Sequence, residues 1–386
     1  MYSLINAFRR ERLTVEDIET KDSRCRKETE NAARLSSWFA GEEGAPAAAA
    51  HSILVQSGGD VRAVLNAGLA ASGAHVFSDA PSCAVEGADI QHVTVEGEVE
   101  LSGDELIVSG NLYVQVFDYG SLPYLSVAGP TVVRMTCPED YEAFLADADR
   151  AVREGDWAEG LAHPSVQLAD VRTLAAPDQD TGLGRLYITS DGQVRTGIGG
   201  AGLGAVGAGA TAVQAALDTY AGDPSLDSVV PRQLLSAGAA ERPWLGRYVR
   251  ALDVRRRLAR KHGTDIRVSG FGGRFTPELP SRPVEAADQP LLLEISGDTY
   301  AVRAGDCRLF RMGRGSARLL EVFSTLRTAG TTDVTAEAAM DEAAARAGRL
   351  LGIPADEALR AYAAVAAHLA STAPIPGLSD ATGGRA

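Results

Sequence analysis

The C-terminal part of the chain changes from short apolar runs separated by tight turns to helical periodicity, and this change restricts the fold more than any other feature. Glycine-containing turns, Ser-Gly-Asp and Ala-Gly-Asp, separate the runs, as in β-hairpins. The predicted strands are Leu291–Ile295, Thr299–Arg303 and Arg308–Met312. The predicted helices are Ser316–Thr328, Thr335–Leu351 and Pro354–Ala370. Three strands followed by three helices predict a small winged-helix-like domain over residues 290–372.

The third strand of this domain lies at the edge of its sheet if the strands form a simple meander. An unpaired edge offers backbone N–H and C=O groups to an extended peptide. On the last helix, one apolar stripe is the predicted core face: Leu359, Tyr362, Ala366 and Leu369. A neighbouring stripe has small side chains that allow another chain to come close: Ala358, Ala361 and Val365. Strand and helix could bound a hydrophobic groove, or both stripes could be buried within the protein.

The N-terminal half of the chain has α/β patterning. Residues 1–45 are polar with scattered apolar positions, which predicts peripheral helices and then an Ala/Gly/Pro-rich linker. A short apolar run at Ser52–Gln56, a helical pattern starting at Val61 and a second run at Ala74–Phe77 predict a β-α-β unit. Further alternating runs and another helical segment extend the predicted α/β domain over residues 46–180.

The middle of the chain, residues 181–282, is predicted to be an α+β region that is rich first in glycine and then in arginine. Gly197, Gly199 and Gly202 have the Gly-x-Gly-x-x-Gly spacing of a dinucleotide-binding loop, which needs a strand before it and a helix after it. Ten glycines between Gly182 and Gly209 can produce this spacing by chance, and the preceding sequence favours a hairpin with Asp-Gly at its turn. An oxidoreductase that binds NAD or FAD at these glycines therefore stays an alternative.

A basic segment interrupts an otherwise acidic chain of net charge −14. Ten Lys or Arg residues against two acids lie between Arg242 and Arg274, and apolar residues at helical spacing run through its first part. We interpret this segment as the solvated basic face of a packed helix. A winged-helix DNA binder that uses these arginines is a further alternative. The net charge and the balance of acids and arginines in the C-terminal domain argue against nucleic acid as a partner.

Composition and length indicate a folded protein of several domains. The chain has 386 residues and 45% hydrophobic content, which favours two or three domains of an α+β protein, with a disordered tail predicted at 373–386. The sequence has no apolar run long enough to cross a membrane and no signal-peptide pattern. We therefore expect a cytoplasmic protein that does not bind membranes.

The sequence lacks the common motifs of catalysis and metal binding. Its four cysteines form no Cys-x-x-Cys pair, its six histidines are scattered, and it has no nucleophile elbow or Walker loop. We therefore expect free cysteines, no metal site, no cofactor and no catalytic residues, and we favour a binding protein over an enzyme.

Three resemblances indicate what such a protein would bind. The segment "FRMGRGSARLLEVF" and the two helices after it resemble the peptide-recognition element of pathways that modify ribosomally made peptides, which shares its fold with the small peptide chaperone of pyrroloquinoline quinone biosynthesis. The stretches "GRLYITSDGQVRTGIGGAGLGAVG", "AERPWLGRYVRALDV" and "RVSGFGGRF" are similar to the large recognition proteins of daptide biosynthesis, over residues 180–372. The first stretch is also similar to the C-terminal extension of radical-SAM peptide-modifying enzymes, but no cysteine for an iron–sulfur cluster lies between Cys137 and Cys307.

The resemblance to recognition proteins implies a noncatalytic adaptor. In that family the leader of a precursor peptide is added as a further strand beside the third strand and against the third helix. In daptide pathways, separate enzymes oxidatively decarboxylate, transaminate and methylate the C-terminal threonine of the precursor. The implied partners are a precursor leader peptide and the modifying enzymes of its pathway. The implied peptide-binding residues are Arg308, Leu309, Phe310, Arg311, Met312, Ala358, Ala361, Tyr362 and Val365.

Overall fold

The chain contains both helices and strands and divides into two compact units. The computed structural model describes residues 29–41, 49–81, 89–179, 184–281, 289–303, 308–329 and 336–370. Unit 1 combines residues 1–116 with 181–220, and unit 2 combines residues 117–180 with 221–386. The helices predicted before residue 29 and the predicted disordered tail lie outside the described residues.

Unit 1 is built around a mixed β-sheet. Its elements are α1 (29–40), β1 (Ala50–Val55), α2 (Val61–Asn66), β2 (Ala70–Ser78), β3 (Ile90–Gly97), β4 (Asp104–Val108), β5 (Leu112–Asp118), β8 (Arg185–Ile188), β9 (Gln193–Arg195), β10 (Gly202–Ala205) and α6 (Ala210–Leu217). The strand order is β10-β9-β8-β1-β2-β3-β4-β5. Strand β1 pairs in parallel with both β2 and β8, so the predicted β-α-β unit is confirmed.

Helices cover both faces of the parallel part of this sheet. Ile53 on β1 packs in one cluster with Val61 of α2 and Val213 of α6. Tyr187 on β8 points to the opposite face, because neighbouring side chains in a strand alternate and both of its neighbours join that cluster. Its ring centroid lies 6.4 Å from that of Trp38 in α1, so α1 covers the second face.

The two units do not follow the predicted segments 46–180 and 181–282. Strands β8, β9 and β10 come after residue 180, yet they belong to unit 1 because β8 pairs with β1. Residues 117–180 belong to unit 2 instead. A parallel pair between strands that are distant in the chain leaves no local pattern, so sequence patterns alone favour contiguous segments.

Unit 2 contains most of the long helices and an antiparallel sheet. Its elements are β6 (Thr131–Arg134), α3 (Pro138–Glu154), α4 (Glu159–Ala162), β7 (Val166–Leu168), α5 (Val171–Ala175), α7 (Arg232–Glu241), α8 (Leu245–His262), β11 (Ile266–Val268), β12 (Leu291–Ile295), β13 (Asp298–Val302), β14 (Leu309–Met312), α9 (Arg314–Ala329), α10 (Ala336–Leu351) and α11 (Ala355–Ala370). Strands β6 and β7 are parallel. The four-stranded sheet has the order β11-β12-β13-β14, which confirms the predicted meander and adds β11 beside it.

The core of unit 2 is centred on an aromatic cluster between α3 and α8. Tyr248 of α8 lies against Phe144 of α3 and stacks on Trp157, with ring centroids 5.7 and 5.5 Å apart. Leu291 and Leu293 of β12 join the same core. One face of the four-stranded sheet is therefore packed against these helices.

The arginines of α8 bind the protein's own backbone. Arg247 and Arg250 donate to the carbonyl of Gln289 at 3.3 and 2.8 Å, and Arg256 donates to the carbonyl of Val166 at 3.3 Å. Arg247 is only 1% exposed. The interpretation of this segment as a solvated basic face is therefore wrong for these arginines, which donate to backbone carbonyls of the protein, whereas Arg257, Arg260 and Lys261 towards the end of α8 are exposed.

Candidate functional site

Strand β14 lies at one edge of the four-stranded sheet, as predicted for the third strand of the meander. It pairs with β13 on one side, and within the described ranges no strand pairs with its other side, which we call the free side. Strand β11 forms the opposite edge. The backbone of β14 can therefore accept a further strand.

The pairing with β13 determines which backbone groups of β14 face the free side. The N–H of Arg303 donates to the carbonyl of Arg308 at 2.9 Å, so these residues form a hydrogen-bonded pair just before β14. Such pairs alternate with non-hydrogen-bonded pairs along an antiparallel ladder, and the register continues without a shift. Every second residue after Arg308 therefore bonds to β13, whereas Leu309 and Arg311 direct their N–H and C=O groups to the free side.

The side chains of β14 alternate between two faces of the sheet. Phe310 is 3% exposed and packs in a cluster with Leu369 of α11, and Met312 lies partly buried against the same cluster. Arg311 points to the opposite face, where its side chain is 66% exposed and pairs with Asp298 at 2.7 Å. An added strand would therefore meet Phe310 and Met312 on one face and, at the end of β14, Arg311 on the other.

Helix α11 covers the apolar face of β14 and leaves part of its own surface accessible. Tyr362 and Val365 are partly buried against the Phe310 cluster. The imidazole of His368 lies edge-on to the ring of Phe310, with centroids 5.6 Å apart. Tyr362 is held in place by stacking on Phe323 of α9 at 4.2 Å. Tyr362 and Val365 therefore form an apolar wall next to the strand.

The structure corrects one predicted contact residue on α11. Ala358 is fully buried and packs with Ala343, Ala344 and Ala347 of α10. It cannot contact a docked peptide, because its methyl group fills the interface between two helices. Ala361 is partly buried against the same cluster.

Sequence patterns miss Glu321, a buried carboxylate on α9. It is 0% exposed and accepts hydrogen bonds from the N–H groups of Phe275 at 3.0 Å and Thr276 at 2.7 Å and from the hydroxyl of Ser269. These bonds connect α9, which follows β14 directly, to the segment after β11. The only sequence signal is the position of this glutamate within the apolar run Leu-Leu-Glu-Val-Phe.

A groove of about 470 Å³ continues from the end of β14. It is lined by the turn between β12 and β13 and by Arg311, Met312 and Arg314. The hydroxyl of Thr299 donates to the carbonyl of Met312 at 2.6 Å and fixes this end of the strand. The hydrogen bond to Asp298 raises the pKa of Arg311, so its positive charge is maintained.

Comparisons with known proteins were made for the whole chain. No protein family, characterised protein or solved structure matches it.

The glycines with dinucleotide-like spacing lie in unit 1, between β9 and β10. These strands are antiparallel, so Gly197 and Gly199 lie in the turn of a hairpin and Gly202 is the first residue of β10. A Cβ at Gly200 would come within 2.2 Å of the Thr196 hydroxyl oxygen, so the turn is tightly packed. The NAD or FAD alternative needs a helix that begins at this loop, and a strand begins there instead. The hairpin predicted before it is confirmed by the antiparallel pairing of β8 with β9.

Few features of the described residues suggest other chemistry. In that part of the chain, no group of three His, Cys, Asp or Glu residues is placed to hold a metal ion, and no helix has the length and apolarity needed to cross a membrane. Cys137 is a free thiol, and the other three cysteines lie outside the described residues.

Proposed function

We propose that this chain is a noncatalytic recognition protein that binds the leader of a ribosomally made precursor peptide as an added strand and presents the precursor to modifying enzymes. The single observation that carries this proposal is the free side of β14, to which Leu309 and Arg311 direct their backbone groups. In strand addition such groups supply affinity, and pockets for alternate side chains supply selectivity.

The arrangement of residues 291–370 also supports the proposal. A meander of three strands followed by three helices is the winged-helix-like order of the recognition elements that the sequence resembles. In those elements the peptide lies beside the third strand and against the third helix, which here are β14 and α11. We also propose a cytoplasmic location, where ribosomal precursors are made.

Selection of peptides on the intact protein tests this function. A phage-displayed library of random twelve-residue peptides is selected on the full chain, and the affinities of enriched peptides are measured by fluorescence anisotropy. We expect dissociation constants below about 100 μM. Methylation of alternate backbone nitrogens in a bound peptide should abolish binding, because it removes the donors of the ladder.

A proline at the edge separates strand addition from other binding modes. Arg311→Pro removes an N–H that faces the free side and none that bonds to β13. Compared with Arg311→Ala, which keeps the N–H, it should weaken binding at least tenfold, about 1.4 kcal/mol, with unchanged thermal unfolding. Equal affinities of these two variants for every selected peptide, or no enriched peptide at all, would contradict the proposal.

A further inference from the structure

The free side of β14 carries positive charge in a chain that is acidic overall. Four arginines and no acidic residue lie between Cys307 and Leu320, in a chain of net charge −14. Arg311 and Arg314 are both exposed. Arg314 forms no ion pair with any residue the structure describes, and the first turn of α9 contains no acid. This edge therefore has a local charge opposite to that of most of the protein.

Arg311 lies on one face of β14 together with the partly buried Leu309, and Phe310 and Met312 lie on the other face, which by alternation is also the face of the exposed Arg308. Side chains of a strand paired with β14 must alternate between the same two faces. Those on the first face would lie beside Arg311, and those on the second would meet Met312, Tyr362 and Val365. At the end of β14 the two faces therefore favour different chemistry: a carboxylate beside Arg311 on one face and an apolar side chain against Met312 on the other.

The ion pair of Arg311 with Asp298 does not prevent it from binding a ligand. Their side chains are 66% and 46% exposed, and exposed pairs contribute little because water screens both charges. A carboxylate on the added strand can therefore share the guanidinium, whose planar donors accommodate two acceptors. The groove beyond Met312 gives a second acidic side chain access to Arg314.

We infer that the segment bound at β14 alternates acidic with apolar residues, with a carboxylate beside Arg311 and its apolar side chains against Tyr362 and Val365. This inference rests on the proposed function and adds the chemical class of the peptide. Charge complementarity favours an acidic segment over a basic one, and the alternation of the faces favours an extended segment over an amphipathic helix.

Three labelled peptides test this inference by fluorescence anisotropy. They share alternate valine and leucine positions and carry glutamate, glutamine or lysine at the positions between. The glutamate peptide should bind at least tenfold more tightly than the lysine peptide at 50 mM salt, and the difference should shrink at 500 mM salt because exposed charges are screened. The double variant Arg311→Glu/Arg314→Glu should reverse the order of the two peptides.

Matched controls distinguish this inference from the proposed function. Arg153→Glu makes the same type of charge change at an exposed arginine of α3 and should leave the order of the peptides unchanged. If all three peptides bind within twofold of one another and Arg311→Pro still abolishes binding, strand addition stands and the acidic preference is wrong. If none of the three binds, the inference is wrong, and the library selection decides the proposed function separately. Thermal unfolding of each variant verifies its fold, and Arg311→Gln repeats the test without a charge reversal.

Discussion

The edge strands β10 and β14 differ in how regular a ladder they offer to an added strand. Strand β10 ends the sheet of unit 1, and β14 ends the four-stranded sheet of unit 2. The pairing of β10 with β9 shifts register between Gly202 and Gly204, and Gly204 has a φ of 109°. Strand β14 is regular and lies beside the wall formed by α11. Unpaired backbone groups alone therefore do not make a binding site, because a bulge and a positive φ interrupt the ladder that an added strand needs.

The largest expected effect is that of replacing Glu321, the buried carboxylate that connects α9 to the segment after β11. Glu321→Ala leaves the N–H groups of Phe275 and Thr276 buried without acceptors, so it should reduce the free energy of unfolding by about 3 kcal/mol and weaken peptide binding. Chemical denaturation and anisotropy measure both. Glu342→Ala, at an exposed site on α10, is the control and should change stability by less than about 0.5 kcal/mol. Equal stability of the two variants would show that this carboxylate does not support the edge.

Proline substitutions in β10 and in β14 test whether the two edges differ in peptide binding. The N–H of Val206 donates to the carbonyl of Gly192, so the N–H of Ala205 faces the open side of β10 by the same alternation that applies to Arg311. Ala205→Pro should leave peptide affinity unchanged, whereas Arg311→Pro should reduce it at least tenfold. An equal loss in both variants would mean that β10 also binds peptide, and the contrast between the edges would fail.

A charge introduced on the apolar wall of α11 should weaken peptide binding less than a proline in β14 does. Val365→Asp places a charge on the apolar face of the groove and should weaken binding of the valine-containing peptides about fivefold, close to 1 kcal/mol. Ala364→Asp makes a similar change at an exposed neighbour and should have no effect in the anisotropy assay. If both variants bind equally well, the bound strand does not touch α11.

The smallest expected effect is that of pH. The hydrogen bond to Asp298 raises the pKa of Arg311 above an already high value, so this residue stays charged throughout the accessible range. Affinity for the glutamate peptide should change less than twofold between pH 6 and 9 and should fall only when the glutamates are protonated, near pH 4. A larger change between pH 6 and 9 would mean that a group other than Arg311 and the glutamates controls binding.

The open edge could be predicted from sequence, and its surroundings only in part. Two Gly-Asp turns between short apolar runs are enough to predict the meander and hence the edge position of β14. The orientation of α11 is harder to predict, because alanine recurs on every side of this helix and gives no contrast between faces. The pattern therefore places Ala358 in the groove, although the residue is buried. The buried roles of Arg247 and Glu321 depend on partners far away in the chain, so no local pattern could reveal them.

The short length of β14 has a consequence for what happens to a bound substrate. The strand has four residues, and a single residue, Gly313, separates it from α9. Under the proposed function, a docked leader would pair with β14 over only about 13 Å, and the part of the precursor beyond β14 and the adjoining groove would act as a flexible tether. The length of that tether, rather than any further contact, then sets the local concentration of the reactive end near each enzyme. Lengthening the spacer of a precursor would thus alter the rate of its processing while its affinity stays the same.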